Sequence, residues 1–112
     1  MSEGRLPTEL WLKAHIATCS AMGVPVAVVK RGDPHGGIVV LKLNRLEAGC
    51  EVLVQGRNEA GALVWQKALE GRLVAEIEAD EFIERQRRYD PDIWIVEVED
   101  RENRNLFETP EM

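Results

Sequence analysis

The pattern of apolar and polar residues predicts that the chain begins with a helix over residues 8–22. Apolar side chains recur there at steps of three and four, which places them on one side of a helix. Thr8 is expected to cap this helix and Gly23 to end it. The stripe expected to face the core consists of Leu10, Trp11, Ala14, Ala17 and Ala21, widened by Leu12, Ile16 and Cys19.

Four short runs rich in β-branched residues predict consecutive strands. They span residues 26–30, 38–43, 51–55 and 63–67. Two connecting segments, 31–37 and 56–61, are dense in Gly, Asp, Asn and Pro, the residues that favour turns. We therefore expect both segments to close antiparallel hairpins.

The second half of the chain predicts a helix over residues 76–89, ended by Pro91, and a fifth strand over residues 93–99. Alternation along that strand turns one set of side chains toward the core, namely Trp94, Val96 and Val98. The other set is expected to point outward, namely Ile95, Glu97 and Glu99. A short sixth strand is predicted around residues 105–107.

The predicted order α-β-β-β-β-α-β-β favours an α+β fold, with a single antiparallel sheet of four to six strands and two helices on one face. A chain of 112 residues has room for one core, so we expect a single domain over residues 1–112. Its ends, residues 1–5 and 108–112, are expected to be mobile.

The charge of the chain argues against nucleic acid as a partner. The whole chain carries 14 Lys and Arg against 20 Asp and Glu, a formal net charge of -6. Residues 1–56 have a net charge of +1, from six basic and five acidic side chains, whereas residues 57–112 have -7, from eight and fifteen. An acidic half repels phosphate backbones.

Composition also bears on location and cofactors. No stretch approaches the ~20 apolar residues of a membrane-spanning helix, and the first residues lack the apolar core of a signal peptide. We therefore expect a cytoplasmic protein with no membrane partner. Cys19 and Cys50 fit no paired metal or redox motif, so free thiols are expected. No motif for a metal or a cofactor is present, and none is predicted.

Residues 85–101 read RQRRYDPDIWIVEVEDR, a run that resembles the closing motif of a small bacterial family catalogued as domain of unknown function 1491. Two other segments are similar to the same pattern: Arg5-Leu6-Pro7 with Trp11, and Arg31-Gly32-Asp33 followed by Gly37 and the strand through Lys42. The resemblance covers most of the chain. It implies a cytoplasmic alphaproteobacterial protein folded as one domain, and it carries no activity, substrate or partner.

One candidate binding site is an anion site in the loop over residues 31–37. Glycines let backbone N–H groups approach an anion, and a His beside an Asp titrates near neutral pH. A P-loop, however, continues into a helix, whereas a strand follows here, so a plain hairpin is the simpler interpretation. The candidate anion-binding residues are Arg31, Asp33, His35 and Arg88. They can act together only if this loop lies against residues 88–92.

The end of the second helix and the strand after it supply two further candidates. Arg85, Arg87 and Arg88 fit a helix end stabilised by Glu81 and Glu84 at i,i+4 spacing, with anion binding as the alternative. The second candidate is the set expected to form an interaction or structural motif, namely Asp90, Asp92, Trp94 and Glu97. The acidic residues of this region also leave hard-cation binding open, although their spacing matches no EF-hand loop; they are Asp90, Asp92, Glu97, Glu99 and Asp100.

Two hypotheses about function follow. The first is a small soluble protein that is not an enzyme and that binds another protein or forms a homodimer. An edge strand, or a sheet face carrying Ile95 or Trp65, would supply the contact. The alternative is a protein or enzyme that binds a small anion or metabolite through the loop 31–37 and residues 88–92.

Overall fold

The computed structural model describes residues 7–57, 59, 60 and 63–102. The described part contains two helices, α1 (Thr8–Ala21) and α2 (Glu76–Tyr89), and five strands, β1 (Val26–Lys30), β2 (Val39–Asn44), β3 (Cys50–Arg57), β4 (Leu63–Lys67) and β5 (Trp94–Glu99). The α+β class and the order of these elements are confirmed. The predicted sixth strand and the predicted mobile ends lie outside the described residues.

The five strands form one mixed sheet in the order β1-β5-β2-β3-β4. β5 pairs antiparallel with β1 on one side and parallel with β2 on the other. The prediction of a purely antiparallel sheet is therefore corrected. The predicted hairpin between β3 and β4 is confirmed, whereas a hairpin over residues 31–37 is wrong because β1 and β2 are not neighbours.

The position of β5 between β1 and β2 determines the path of the loop over residues 31–37. Strands two positions apart in a sheet are separated by about 10 Å, so this loop has to bridge that distance. It also has to pass the start of β5, because Lys30 at the end of β1 and Val39 at the start of β2 pair with Ile95 and Trp94. Local turn chemistry is the same for a hairpin and for such a bridge, which explains the mistaken prediction.

The two helices cover opposite faces of the sheet, which corrects the prediction that both lie on one face. α1 contributes Leu12 and Cys19 to a core with the β2 and β5 residues Leu41, Leu43, Trp94, Val96 and Val98. α2 contributes Ala79 and Ile83 to a second core with Val40, Val52 and Ile95. Because neighbouring residues of a strand point to opposite faces, β2 and β5 contribute buried apolar residues to both cores.

α1 turns only one part of the predicted stripe to the core. Leu12 and Cys19 are buried, and Ile16 and Trp11 pack against them. The predicted core residues Leu10, Ala14, Ala17 and Ala21 are exposed. This helix is apolar on both sides, so spacing alone cannot select the buried one. The expected cap is also corrected: Pro7 occupies the cap position, and no side chain caps the helix.

β5 is buried on both faces. Trp94 is 2% exposed, as its phase predicts, but Ile95 is only 3% exposed. The expectation that Ile95 points to solvent is therefore wrong, because α2 covers that face. Consequently Ile95 is not available to a partner.

We expect truncation of Ile95 to be costly. Ile95→Ala should lower the free energy of unfolding by about 2–5 kcal/mol, because it opens a cavity under α2. The matched control is Ile77→Ala in α2. The Ile77 side chain is 69% exposed, so the change in the free energy of unfolding should stay within about 0.5 kcal/mol. Urea unfolding of both variants measures the difference, and equal values would contradict a core on this face.

Candidate functional site

The loop over residues 31–37 and the segment over residues 90–94 lie against each other, and we call them together the corner. The backbone N–H of Asp33 donates to the carbonyl of Asp92 at 3.0 Å. The indole Nε1 of Trp94 donates to the carbonyl of Asp33 at 2.8 Å. The loop and the end of α2 are therefore adjacent, as the anion-site hypothesis requires.

Two glycines make this approach of one backbone to another sterically possible. A Cβ atom on Gly32 or on Gly37 would collide with the carbonyl oxygen of Asp92. Gly36, between them, has ordinary space, with the Asp33 carboxylate at 3.6 Å from a Cβ. Gly32 and Gly37 therefore let the loop pass the start of β5 at close range.

The same loop closes the N-terminus of α1. The backbone N–H groups of Thr8 and Glu9 donate to the carbonyls of His35 and Pro34, at 3.3 and 3.0 Å. The hydroxyl of Thr8 donates to the carbonyl of Gly37 at 2.8 Å. These donors of the first helical turn, which would otherwise attract an anion, are used inside the protein.

Arg31 is held by two contacts within the protein. Its Nη2 lies 2.6 Å from Oε2 of Glu9, and its guanidinium carbon lies 5.2 Å from the centre of the Trp94 ring. The hydrogen bond from Arg31 lowers the pKa of Glu9 below its ordinary value. Arg31 therefore ties the start of α1 to the corner.

The carboxylates of the corner shape its turns. Asp33 accepts the N–H of Gly36 at 3.0 Å, and Asp90 accepts the N–H of Asp92 at 3.0 Å. His35 contributes its main-chain carbonyl to the closure of α1. The three loop residues proposed for anion binding are thus brought together, and two of their charged groups already have internal partners.

Arg88 and Glu97 lie elsewhere. Within the described residues no hydrogen bond or ion pair connects Arg88 to the corner; it lines a surface groove with Arg85 and Tyr89 instead. Glu97 lies on the face of the sheet under α2, beside Lys42. The structure therefore does not join these two residues to the other candidates.

Lys42 is the centre of a charged cluster that sequence reasoning missed. It is buried in the middle of β2, and its ammonium Nζ lies 2.7 Å from Glu76 and 2.8 Å from Asp80, both on α2. Glu97 of β5 is 3.7 Å away. Burial by itself lowers the pKa of Lys42, but the hydrogen bonds that its ammonium donates to Asp80 and Glu76 outweigh it and hold the pKa above its ordinary value.

The chemistry of this cluster is that of an anchor. A lysine held protonated can act neither as a nucleophile nor as a general base near neutral pH. It can hold α2 on the sheet through its carboxylate partners. The available signal was a lysine in the middle of an otherwise apolar strand, at a phase that α2 covers; its burial became evident only once α2 was placed on that face.

A second buried cation joins three strands. Arg45, just after β2, pairs with Asp100 at 3.2 Å and with Glu51 of β3 at 3.1 Å. It also donates to the carbonyl of Asp100 at 3.1 Å. Buried charges require such partners. The contacts of Arg45 with Asp100 and Glu51 therefore link the ends of β2, β3 and β5.

Neither a reactive thiol nor a metal centre is evident in the described part of the chain. Cys19 and Cys50 are buried and form no disulfide, and burial raises the pKa of the Cys50 thiol, which keeps it unreactive. No group of three or more His, Cys, Asp or Glu side chains among residues 7–57, 59, 60 and 63–102 is arranged to hold a metal ion. Likewise, no described helix is long and apolar enough to cross a membrane.

Comparison with known proteins identifies the family. The model of the DUF1491 family, described as protein of unknown function, matches residues 6–108. This chain therefore belongs to the DUF1491 family, as the resemblance of residues 85–101 implied. No functionally curated protein matches it.

Three solved structures share the fold. The crystal structure of a DUF1491 family protein from Caulobacter crescentus CB15 is 32% identical, with a TM-score of 0.83, covering 96% of this chain and 100% of that one. The NMR structure of a DUF1491 family protein from the same organism is 31% identical, with a TM-score of 0.82 and coverage of 98% and 100%. The solution structure of protein Atu0922 from A. tumefaciens is 24% identical, with a TM-score of 0.77 and coverage of 97% and 100%, and shows the fold alone. These organisms fit the alphaproteobacterial origin that the resemblance implied.

Substitution of Gly37 tests the corner. Gly37→Ala should destabilise the fold by about 1–3 kcal/mol or more, because the added methyl group meets a backbone carbonyl that cannot move independently. Gly36→Ala, one position away, is the control and should change stability by no more than about 1 kcal/mol. Thermal and urea unfolding of the two variants give the comparison, and similar losses in both would contradict the close crossing.

The Lys42 cluster predicts an alkaline loss of stability. Because the folded pKa lies above the ordinary value of 10.5, the stabilisation is fully present below that pH and is lost as the pH rises through the folded pKa. Lys42→Met should lower the free energy of unfolding near pH 8 by about 1–3 kcal/mol and flatten its fall at alkaline pH. Urea unfolding against pH measures both effects.

The exposed lysine of α1 provides the control for that experiment. Lys13→Met removes one exposed ammonium without touching the cluster, so it should keep the wild-type slope. If Lys42→Met also kept that slope, the assignment of the alkaline transition to Lys42 would be wrong.

Proposed function

We propose that this protein is a non-enzymatic interaction domain of the cytoplasm that self-associates through the outer edge of β1. The observation that carries the proposal is the position of β1. It is an edge strand, and among the described residues it pairs only with β5. An edge strand presents backbone donors and acceptors with which another strand can pair.

The backbone groups that face outward belong to Val26 and Val28. The N–H of Glu99 donates to the carbonyl of Pro25 at 3.0 Å, so Glu99 and Pro25 are a hydrogen-bonded pair of the β1–β5 ladder. Bonded and non-bonded pairs alternate along an antiparallel ladder. Val26 and Val28 therefore form non-bonded pairs with β5, and their N–H and C=O groups point to the open side.

The side chains at this edge are apolar and accessible. Val28 and Val29 are 41% and 56% exposed. Lys30, which could oppose pairing of an edge strand, is turned back into its own chain, where its ammonium donates to the carbonyls of Pro91 at 2.7 Å and Ile93 at 3.1 Å. The edge therefore offers valines rather than a charge.

A second copy of the chain is the occupant that this edge fits. When two copies of β1 pair antiparallel around a two-fold axis at Val28, each copy contributes the same surface to the interface, as a closed dimer requires. β1 contains no acidic residue. That matters because copies with a net charge of -6 repel one another, and a contact without carboxylates adds nothing to the repulsion.

The interior of the protein supports a role without catalysis. Lys42 is held protonated by carboxylates, and Arg31, Asp33 and Asp90 of the corner have partners within the protein. Two buried cysteines that form no disulfide are typical of a reducing compartment, which supports the cytoplasm. Nucleic acid and membrane partners are not part of the proposal.

The oligomeric state tests the proposal directly. Sedimentation velocity of the full chain should show a dimer at tens of micromolar. Val28→Lys should weaken that dimer at least about tenfold, equivalent to about 1.4 kcal/mol, because two like charges then face each other across the axis. β1 pairs regularly with β5 from Val26 to Val28, and the register shifts between Val28 and Lys30.

Ile77→Lys is the matched control, since it introduces the same charge at another exposed aliphatic residue, on α2. It should leave the dimer intact, and both variants should retain the wild-type melting temperature within a few degrees. A monomeric wild-type protein at these concentrations, or equal weakening by both variants, would refute self-association through β1.

A further inference from the structure

Two arginines on α2 differ from the cations of the described chain that are bound to carboxylates. Arg31, Lys42, Arg45, Arg72 and Arg101 each have a carboxylate within 4 Å. For Arg85 and Arg88 no ion pair is found within residues 7–57, 59, 60 and 63–102. The i,i+4 pairs with Glu81 and Glu84 that the sequence suggested do not form.

These arginines line a concave surface together with an aromatic ring. The open groove has a volume of about 290 Å³ and is bordered by Arg85, Arg88 and Tyr89. Positions i, i+3 and i+4 share one side of a helix, which brings the three side chains together. Arg85 also has a cation–π contact within α2, because its guanidinium carbon lies 6.0 Å from the centre of the Phe82 ring.

We propose that this groove binds a phosphate monoester carried next to an aromatic ring. Guanidinium groups present planar pairs of donors that match phosphate oxygens. The two positive charges match the charge of about -1.5 to -2 that a phosphate monoester has at pH 7, whereas a carboxylate would balance only one of them. Tyr89 is 87% exposed, and its ring offers a surface on which a ligand ring can stack.

The surroundings explain why side chains have to hold such a ligand. The groove lies at the C-terminal end of α2, where the helix dipole is negative and no backbone N–H groups are free to meet an anion. The guanidinium groups must therefore supply the attraction. Arg87, on the same turn, adds positive charge nearby without lining the groove.

The groove differs from the anion site expected from the sequence. Of the four residues in that hypothesis only Arg88 takes part, and the loop over residues 31–37 contributes nothing. The proposal is also independent of the β1 edge, because α2 lies on a different face of the molecule. Either proposal can therefore fail without the other.

NMR titration of the isotopically labelled full chain tests this binding site. Phenyl phosphate should shift the resonances of Arg85, Arg88 and Tyr89, and it should bind more tightly than inorganic phosphate or benzoate. AMP and O-phosphotyrosine, titrated in parallel, distinguish a nucleotide from a phosphorylated tyrosine as the source of the ring. Tighter binding of either one assigns the source.

Substitutions separate a specific site from general attraction by positive charge. Arg85→Gln and Arg88→Gln should each weaken phenyl phosphate binding about tenfold or more. Tyr89→Ala should abolish the advantage of phenyl phosphate over inorganic phosphate. Arg87→Gln removes the same charge from the same turn and should have less than about a threefold effect.

Several outcomes would overturn the proposal. They are no localised shifts with any of these phosphates at about 10 mM, benzoate binding as tightly as phenyl phosphate, or an equal loss of affinity in Arg87→Gln. The substituted side chains are exposed, so all variants should keep the wild-type circular dichroism and melting temperature.

Discussion

The hydrogen bond from the Trp94 indole to the Asp33 carbonyl marks the constraint on which the rest of the structure depends. β5 lies between β1 and β2, so the chain that joins those two strands must pass the start of β5 at close range. At that point Asp33 also bonds the backbone of Asp92, and Gly32 and Gly37 let the two main chains touch. The same loop closes the first turn of α1. One crossing therefore sets the order of three strands and the position of a helix.

This crossing also explains the family resemblance. Most segments that carry it, including Gly32, Gly37 and the run that contains Asp90 and Trp94, meet in the corner, where they bond to one another. Structures that are 31–32% identical share the fold over nearly the whole chain. We infer that the part of the shared motif that meets in the corner preserves the architecture, whereas Arg85, Arg88 and Tyr89 at its start line the surface groove.

The buried charged groups of this protein differ from the polar groups that face solvent. Lys42 and Arg45 are buried, and each has several oxygen partners, because an unpaired buried charge is too costly to retain. These clusters hold α2 and the strand ends in place. The β1 edge and the Arg85–Arg88 groove differ because their donors and acceptors face solvent. They are accordingly the two places where we propose that another molecule binds.

By itself the sequence determined the elements, the phase of β5 that buries Trp94 and the turn-forming character of residues 31–37, because these depend on neighbours a few positions apart. Only the tertiary structure decided which strands pair, which side of α1 is buried and that Lys42 lies under α2. Backbone hydrogen bonding is nearly the same for every partner strand, so the insertion of β5 between β1 and β2 leaves little local trace. A helix or strand that is apolar on two faces is likewise ambiguous until other elements cover it. Ile95 was misplaced for that reason: its burial comes from a helix that begins nineteen positions earlier in the chain.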